Sequence, residues 1–182
     1  MVVVDSTTHT VLRTLYGLRR IVLCCAFSPD GALLATASAN DTVNLWQVDT
    51  GSEVRTLTGH TDCVCGVVFS ADGKHVISVS HDKTARVWDV ASGDLVHTLS
   101  LHGRGCSVAL SASGTLLSIL CLDGIVSLFH AAKGYTPLCT FEAHSEAQLG
   151  LFRQCFHPVA EKDMLVTCCT NENEAKVWDL TR

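Results

Sequence analysis

Ten cysteines and nine histidines are the side chains of this 182-residue chain with the most chemical scope, because thiolate and imidazole ligate zinc and serve as nucleophile and base. Their spacing argues against most such uses. Cys63-x-Cys65 is the one close non-adjacent pair, shorter than the usual Cys-x₂₋₄-Cys, and no second Cys/His pair follows at finger-like distance. Cys24-Cys25 and Cys168-Cys169 are adjacent, so a strand sends their side chains to opposite faces and cannot aim both at one ion. No metal and no cofactor is expected. Nor is a disulfide framework, since the cysteines sit inside apolar runs such as Val22 to Phe27 and read as small buried hydrophobes. The sequence holds no Gly-x-Ser-x-Gly elbow, no phosphate-cradling Gly-rich loop and no His-Glu-x-x-His pair. His60, Ser80 and Asp82 have the residue types of a hydrolase triad, and only the elements that position them decide their role.

Composition bounds those elements. Apolar residues make up 47% and charged residues 17%, the balance of a soluble globular chain. A net charge of −5 leaves no basic excess for a phosphate backbone, so nucleic-acid binding is not expected. The most lipid-like stretch, Gly114 to Phe129, contains Asp123 and falls short of the ~20 residues of a spanning helix. The start, Met1 to Asp5, lacks a basic leader before an apolar run, which points to an intracellular protein, cytoplasmic or nuclear.

A repeat organises the chain. Leu45-Trp46-Gln-Val48, Val87-Trp88-Asp-Val90, Leu128-Phe129-His-Ala131 and Val177-Trp178-Asp-Leu180 recur at steps of 42, 41 and 49 residues. Gly59-His60, Leu101-His102 and Ala143-His144 each precede an apolar run, with Gly17-Leu18 in the same place in the first copy. Turn sequences follow: Ser28-Pro-Asp-Gly31, Ser70-Ala-Asp-Gly73, Ser111-Ala-Ser-Gly114 and the longer His157 to Asp163. Four short strands per ~42 residues with no helical period predict an all-β protein.

These residues resemble the WD-repeat β-propeller family over essentially the whole chain, and the second full repeat is a near-complete copy of its pattern. The resemblance implies four-stranded blades arranged radially, each tied by a hydrogen-bonded structural tetrad of His, a Ser or Thr on the second strand, a turn Asp and a Trp. Carried over, the tetrad is His60, Ser80, Asp82 and Trp88. The first repeat has Leu18 in place of His and offers Ser38, Asn40 or Asp41, and Trp46. The third keeps His102 and Asp123 but has Cys121 and Phe129, so its tetrad is broken. The fourth has His144, Thr170 and Trp178, with Glu172 at the turn. One complete tetrad is expected.

The same reading divides the chain into 1–16 (third and fourth strands of a preceding incomplete blade), 17–58, 59–100, a degenerate 101–142, and 143–182, which lacks its last strand. Val11-Leu-Arg-Thr-Leu15 copies Glu53-Val-Arg-Thr-Leu57, which sets the start. The expectation is a propeller segment of 17 strands, incomplete at both ends. Open edges of that kind favour pairing with the missing blades or self-association. The fourth repeat is longer, placing one insertion around Ser145 to Leu149 on the same rim as the Gly-His loops and another, Pro158 to Asp163, on the opposite rim.

In the family, positions on the narrower rim contact peptides. Here they are Ile21, Leu23 and Ala39; Cys63, Cys65 and His81; Arg104, Cys106 and Leu122; and Gly150, Phe152 and Asn171. Apolar side chains with Arg104 and Arg153 beside them suit a hydrophobic protein or peptide partner that carries a carboxylate. The resemblance implies a non-enzymatic interaction scaffold. The alternatives are a regulatory or sensor segment of a larger multidomain protein and a Cys/His metal- or thiol-dependent enzyme.

Overall fold

A computed structural model describes residues 1–4, 6–15, 20–145, 152–159, 162–169 and 174–180. The described residues form 17 strands in five antiparallel sheets, with one short 3-10 turn at Ala131–Lys133. The first sheet has β1 (Val2–Val4) and β2 (Val11–Thr14). The second has β3 (Val22–Phe27), β4 (Leu33–Ser38), β5 (Val43–Gln47) and β6 (Glu53–Leu57). The third has β7 (Val64–Phe69), β8 (His75–Ser80), β9 (Thr84–Asp89) and β10 (Leu95–Ser100). The fourth has β11 (Gly105–Leu110), β12 (Leu116–Cys121), β13 (Ile125–His130) and β14 (Thr136–Glu142). The fifth has β15 (Phe152–Phe156), β16 (Met164–Cys169) and β17 (Glu174–Asp179).

Each sheet is a meander in chain order, as alternating apolar runs separated by tight turns require. The chemistry of the first turn repeats. Ser28 Oγ donates to Asp30 Oδ1 at 2.6 Å, and Ser70 Oγ to Asp72 Oδ1 at 2.6 Å. The glycine closing these turns has φ of +72° at Gly31 and +70° at Gly73, a conformation that favours a residue without Cβ.

The sheets fan out from a hub. Their first strands, β3, β7, β11 and β15, lie against one another in that order, and each sheet stacks face to face on the next. Burial follows that stacking. Val3 and Leu15 pack on Leu34 and Trp46; Ala37, Leu45 and Leu57 pack on Val67, Val76 and Trp88. Ile77, Val79 and Val87 pack on Leu117, Ile119 and Phe129, and Leu120 and Val126 on Leu165 and Cys169. Removing such an aliphatic side chain from water contributes about 1.5–3 kcal/mol, so the interfaces between sheets are the core of the molecule. The outer faces of the end sheets stay open: Val4 is 47% and Val177 61% exposed.

Polar bonds reinforce the stacking. Arg55 donates to the carbonyls of Ser92 and Ala91, both at 2.7 Å, and Arg13, its counterpart in the copied sequence, donates to Asp49 O at 2.6 Å. Gln154 on β15 reaches back to the fourth sheet, accepting from Ser118 Oγ at 2.7 Å and donating to Ser118 O at 2.8 Å.

Candidate functional site

His60, Asp82 and Trp88 meet in one buried network, and the hydroxyl that joins them is Ser78. Trp88 Nε1 donates to Ser78 Oγ at 2.8 Å, and Ser78 Oγ lies 2.8 Å from His60 Nε2. The Ser78 proton therefore goes to Nε2. The imidazole proton then sits on Nδ1 and points to Asp82 Oδ2 at 2.7 Å. Asp82 also accepts from Thr84 Oγ1 at 2.7 Å and from the N–H of Thr61 and of Thr84.

This corrects the expectation for Ser80. Its Oγ donates to Asp62 O at 2.8 Å and accepts from Asp82 N at 3.0 Å, so it ties the loop to the turn without touching Trp88. Trp88 pairs with Val76, and its indole leans diagonally onto the next residue of that face, Ser78. Ser80 is four residues from the paired position, about 13 Å along the strand, beyond an indole's reach.

The same two-residue correction holds in the first repeat, where Trp46 Nε1 donates to Thr36 Oγ1 at 3.0 Å and Ser38 Oγ donates instead to Ile21 O. At the turn, Asn40 takes the Asp82 role by accepting from Thr42 Oγ1 at 2.8 Å, while Asp41 occupies the place of Lys83, both with positive φ. In the fourth repeat Thr167 links Trp178 Nε1 (2.9 Å) to His144 Nε2 (3.0 Å); Thr170 and Glu172 lie outside the described residues, as does Leu18. In the third repeat the position level with Ser78 is Ile119, which packs with Phe129 in place of the hydrogen-bonded pair. Cys121 sits one step further along, and His102, bonded to Asp123 at 3.0 Å, turns outward with its side chain 66% exposed.

A triad built this way does not act as a nucleophile. Ser78 gives its proton to a histidine locked between Trp88 and Asp82, and the side chains of His60 and Asp82 are 1% and 5% exposed. Burial pushes His60 below its usual range despite the Asp82 carboxylate. The desolvation of the Asp82 carboxylate is outweighed by hydrogen bonds from Thr84, His60 and Thr61, which hold it at about 2. The pair is thus carboxylate and neutral imidazole at neutral pH.

The expected rim residues fall into equivalent places. Ala39 N donates to Ile21 O at 3.0 Å, His81 N to Cys63 O at 3.0 Å and Leu122 N to Arg104 O at 2.8 Å, so in these three sheets the turn between second and third strands is stitched to the loop entering the first strand. Ile21 is 72% exposed, whereas Leu23, at 38%, alternates with Cys25 and Phe27 on the face of β3 that no described sheet covers. Neighbouring sheets touch along this rim: Cys63 Sγ contacts Ala39 O at 3.9 Å, and Arg104 Nη2 donates to Asp62 Oδ2 at 2.9 Å. Cys65 Sγ lies 3.2 Å from His81 Nε2. Burial raises Cys65 to about 11 and lowers His81, so this thiol is protonated at neutral pH and no thiolate nucleophile forms by itself.

Cys106 does not belong to that surface. It is buried against Leu120 and Cys169 and its thiol donates to Leu120 O at 3.1 Å, because a side chain this small on an inward-facing strand position packs into the core. Leu122 is half-buried. Gly150, Asn171 and most of the insertion from Ser145 to Leu149 lie outside the described residues; for Phe152, the backbone alone is described, paired with Cys169. Asp62 was not among the expected rim residues, and its one sequence signal is its place between Gly59-His60 and Cys63. Among the described residues no helix is long and apolar enough to cross a membrane.

The family model for the WD domain, G-beta repeat, matches residues 9–47 and 51–89. Among solved structures the chain is similar to the structure of U3-55K, with a TM-score of 0.82 at 19% sequence identity, over 92% of this chain and 51% of that one. It spans about half the length of that structure, and the likeness concerns the fold. No curated protein matches the chain.

Proposed function

We propose that this chain, which has the fold of a WD-repeat β-propeller segment, is a non-enzymatic scaffold that docks a protein partner on the rim running from Ile21 through Cys63 and His81 to Arg104. The observation that carries this reading is the 72% exposure of Ile21 on the rim that also presents Arg104. Ile21, whose carbonyl accepts from Ala39 N and Ser38 Oγ, offers an apolar contact on a backbone that is already held in place. The guanidinium of Arg104 is 55% exposed while bonded to Asp62, which leaves donors for a partner carboxylate. The partner is therefore a peptide segment or loop with apolar residues next to an acidic one. The buried His60 network supports the scaffold role, because its hydrogen-bonding capacity is spent on holding the loop to the blade.

The test compares Ile21→Asp and Arg104→Glu with Lys162→Glu on the opposite rim. The first two are expected to weaken capture of the protein's cellular partners at least tenfold with unchanged melting temperature, and the last to leave it intact. Partner loss confined to Lys162→Glu would place the binding face on the other rim.

A further inference from the structure

Three metal-ligating side chains of different chemistry converge where the second and third sheets meet the rim. One ligand atom each from Asp62, Cys63 and His81 lies within 4.8 Å of the others, and all three residues are half-buried. A fourth donor, Cys65 Sγ, is 3.2 Å from His81 Nε2 but stands outside that grouping, so it reaches a shared ion by a rotation of its side chain. We propose that Asp62, Cys63 and His81, with Cys65 as the fourth ligand, form a binding site for a thiophilic divalent cation of the zinc type.

The donor set selects the ion. Two sulfurs, one imidazole nitrogen and one carboxylate oxygen suit zinc in a tetrahedral site, whereas calcium and magnesium take oxygen donors. Zinc bonds of 2.0–2.3 Å at tetrahedral angles separate a sulfur from a nitrogen by about 3.5 Å. The distance between Cys65 and His81 needs a few tenths of an ångström to reach that value.

The ligands are also held in place. His81 sits on the turn between β8 and β9, and its N–H bonds Cys63 O at 3.0 Å, which locks the turn to the loop that carries Asp62 and Cys63. The Cys63 N–H donates to Asp62 Oδ1 at 2.8 Å and fixes the carboxylate. Cys63 lies in the loop just before β7 and Cys65 at the register shift between Val64 and Gly66, where the strand bulges and the Cys65 thiol meets His81. Arg104 supplies the outer shell. Two thiolates and a carboxylate around a divalent cation leave one net negative charge, and the guanidinium bonded to Asp62 Oδ2 at 2.9 Å offsets it while orienting the ligand. On binding, each thiol releases its proton to solvent as its sulfur takes the metal.

The site shares Cys63, His81 and Arg104 with the proposed docking rim but does not rest on that reading, because metal binding is read without a partner. An ion here would join the loop before β7 to the turn after β8 on the rim, whatever that rim binds.

Cobalt(II) is the probe, added to the full 182-residue chain under reducing conditions. One equivalent is expected to produce a thiolate-to-cobalt band in the near ultraviolet and intense visible bands of a tetrahedral site, both displaced by zinc. Cys63→Ser and His81→Asn abolish the spectrum. Cys65→Ser reduces the thiolate band by about half, and Cys139→Ser, on the exposed β14 strand, leaves it unchanged. Absence of tetrahedral bands at one equivalent, or their survival in both Cys63→Ser and His81→Asn, overturns the proposal. Should those variants lose their β-sheet circular dichroism, thiol alkylation of the unmodified chain decides. Zinc is then expected to protect Cys63 and Cys65 but not Cys139, and equal labelling with and without zinc rejects the site.

Discussion

His60 Nδ1 lies 2.7 Å from Asp82 Oδ2 with both side chains almost fully buried, 22 residues apart in the chain. That contact closes the loop before β7 onto the turn after β8, and so fixes the rim residues that lie between them.

Removing Asp82 strands four donors: His60 Nδ1, Thr84 Oγ1 and the N–H groups of Thr61 and Thr84. Asp82→Ala is expected to cost about 1–3 kcal/mol. Asp123→Ala removes an exposed pair with His102 and is expected to cost less than about 1 kcal/mol. Denaturant unfolding of the two variants checks the difference, and equal losses would contradict the assignment.

Ser78→Ala leaves Trp88 Nε1 and His60 Nε2 without their shared partner inside the core. Trp88→Phe removes the donor. The two changes are expected to be non-additive by roughly 0.5–3 kcal/mol in a double-mutant cycle, because each breaks the same bond. The third repeat, where Ile119 faces Phe129, shows the apolar solution to the same position.

Stability is expected to fall on the acid side in two stages. His60 titrates below its usual 6.5 in the folded chain, so the unfolded chain takes up a proton first and stability declines as pH drops below about 6.5. Asp82, at about 2 against an ordinary 3.8, withdraws its contribution as pH falls from about 3.8 towards 2. Melting curves of the wild type and Asp82→Asn across that range check the second stage, which the variant lacks.

Gly124 and Gly31 share positive φ, +78° and +72°, but a Cβ on Gly124 would run into the carbonyl of His144, whereas one on Gly31 meets open space. Gly124 O also accepts from Ala143 N at 2.9 Å. Gly31→Ala is expected to cost about 1–2 kcal/mol from backbone strain alone, and Gly124→Ala more, measured by thermal unfolding.

Native thiol alkylation should be selective. Cys25, Cys139 and Cys155 are exposed and label first; Cys106, Cys121 and Cys169 are buried, with burial raising Cys121 to about 11, and label only on unfolding. Early labelling of Cys106, detected by peptide mass spectrometry, would return it to the rim surface.

Local signals carried the architecture. The recurring Trp46, Trp88, Phe129 and Trp178, the Ser-x-Asp-Gly turns and the two-residue alternation are written in adjacent residues, and strand and turn preferences act over that range. Those signals stop where two residues share a face. Ser78 and Ser80 are equivalent under a period of two, and only the diagonal reach of Trp88 across its paired strand selects Ser78. Asn40 and Asp41 are likewise adjacent polar residues until the turn gives Asp41 φ of +67° and leaves Asn40 to accept the Thr42 hydroxyl. The burial of Cys106 depends on the sheet packed over it, and the grouping of Asp62, Cys63 and His81 on two loops brought together by a strand pairing. Such proximities arise from non-local closure, and no spacing along the chain encodes them.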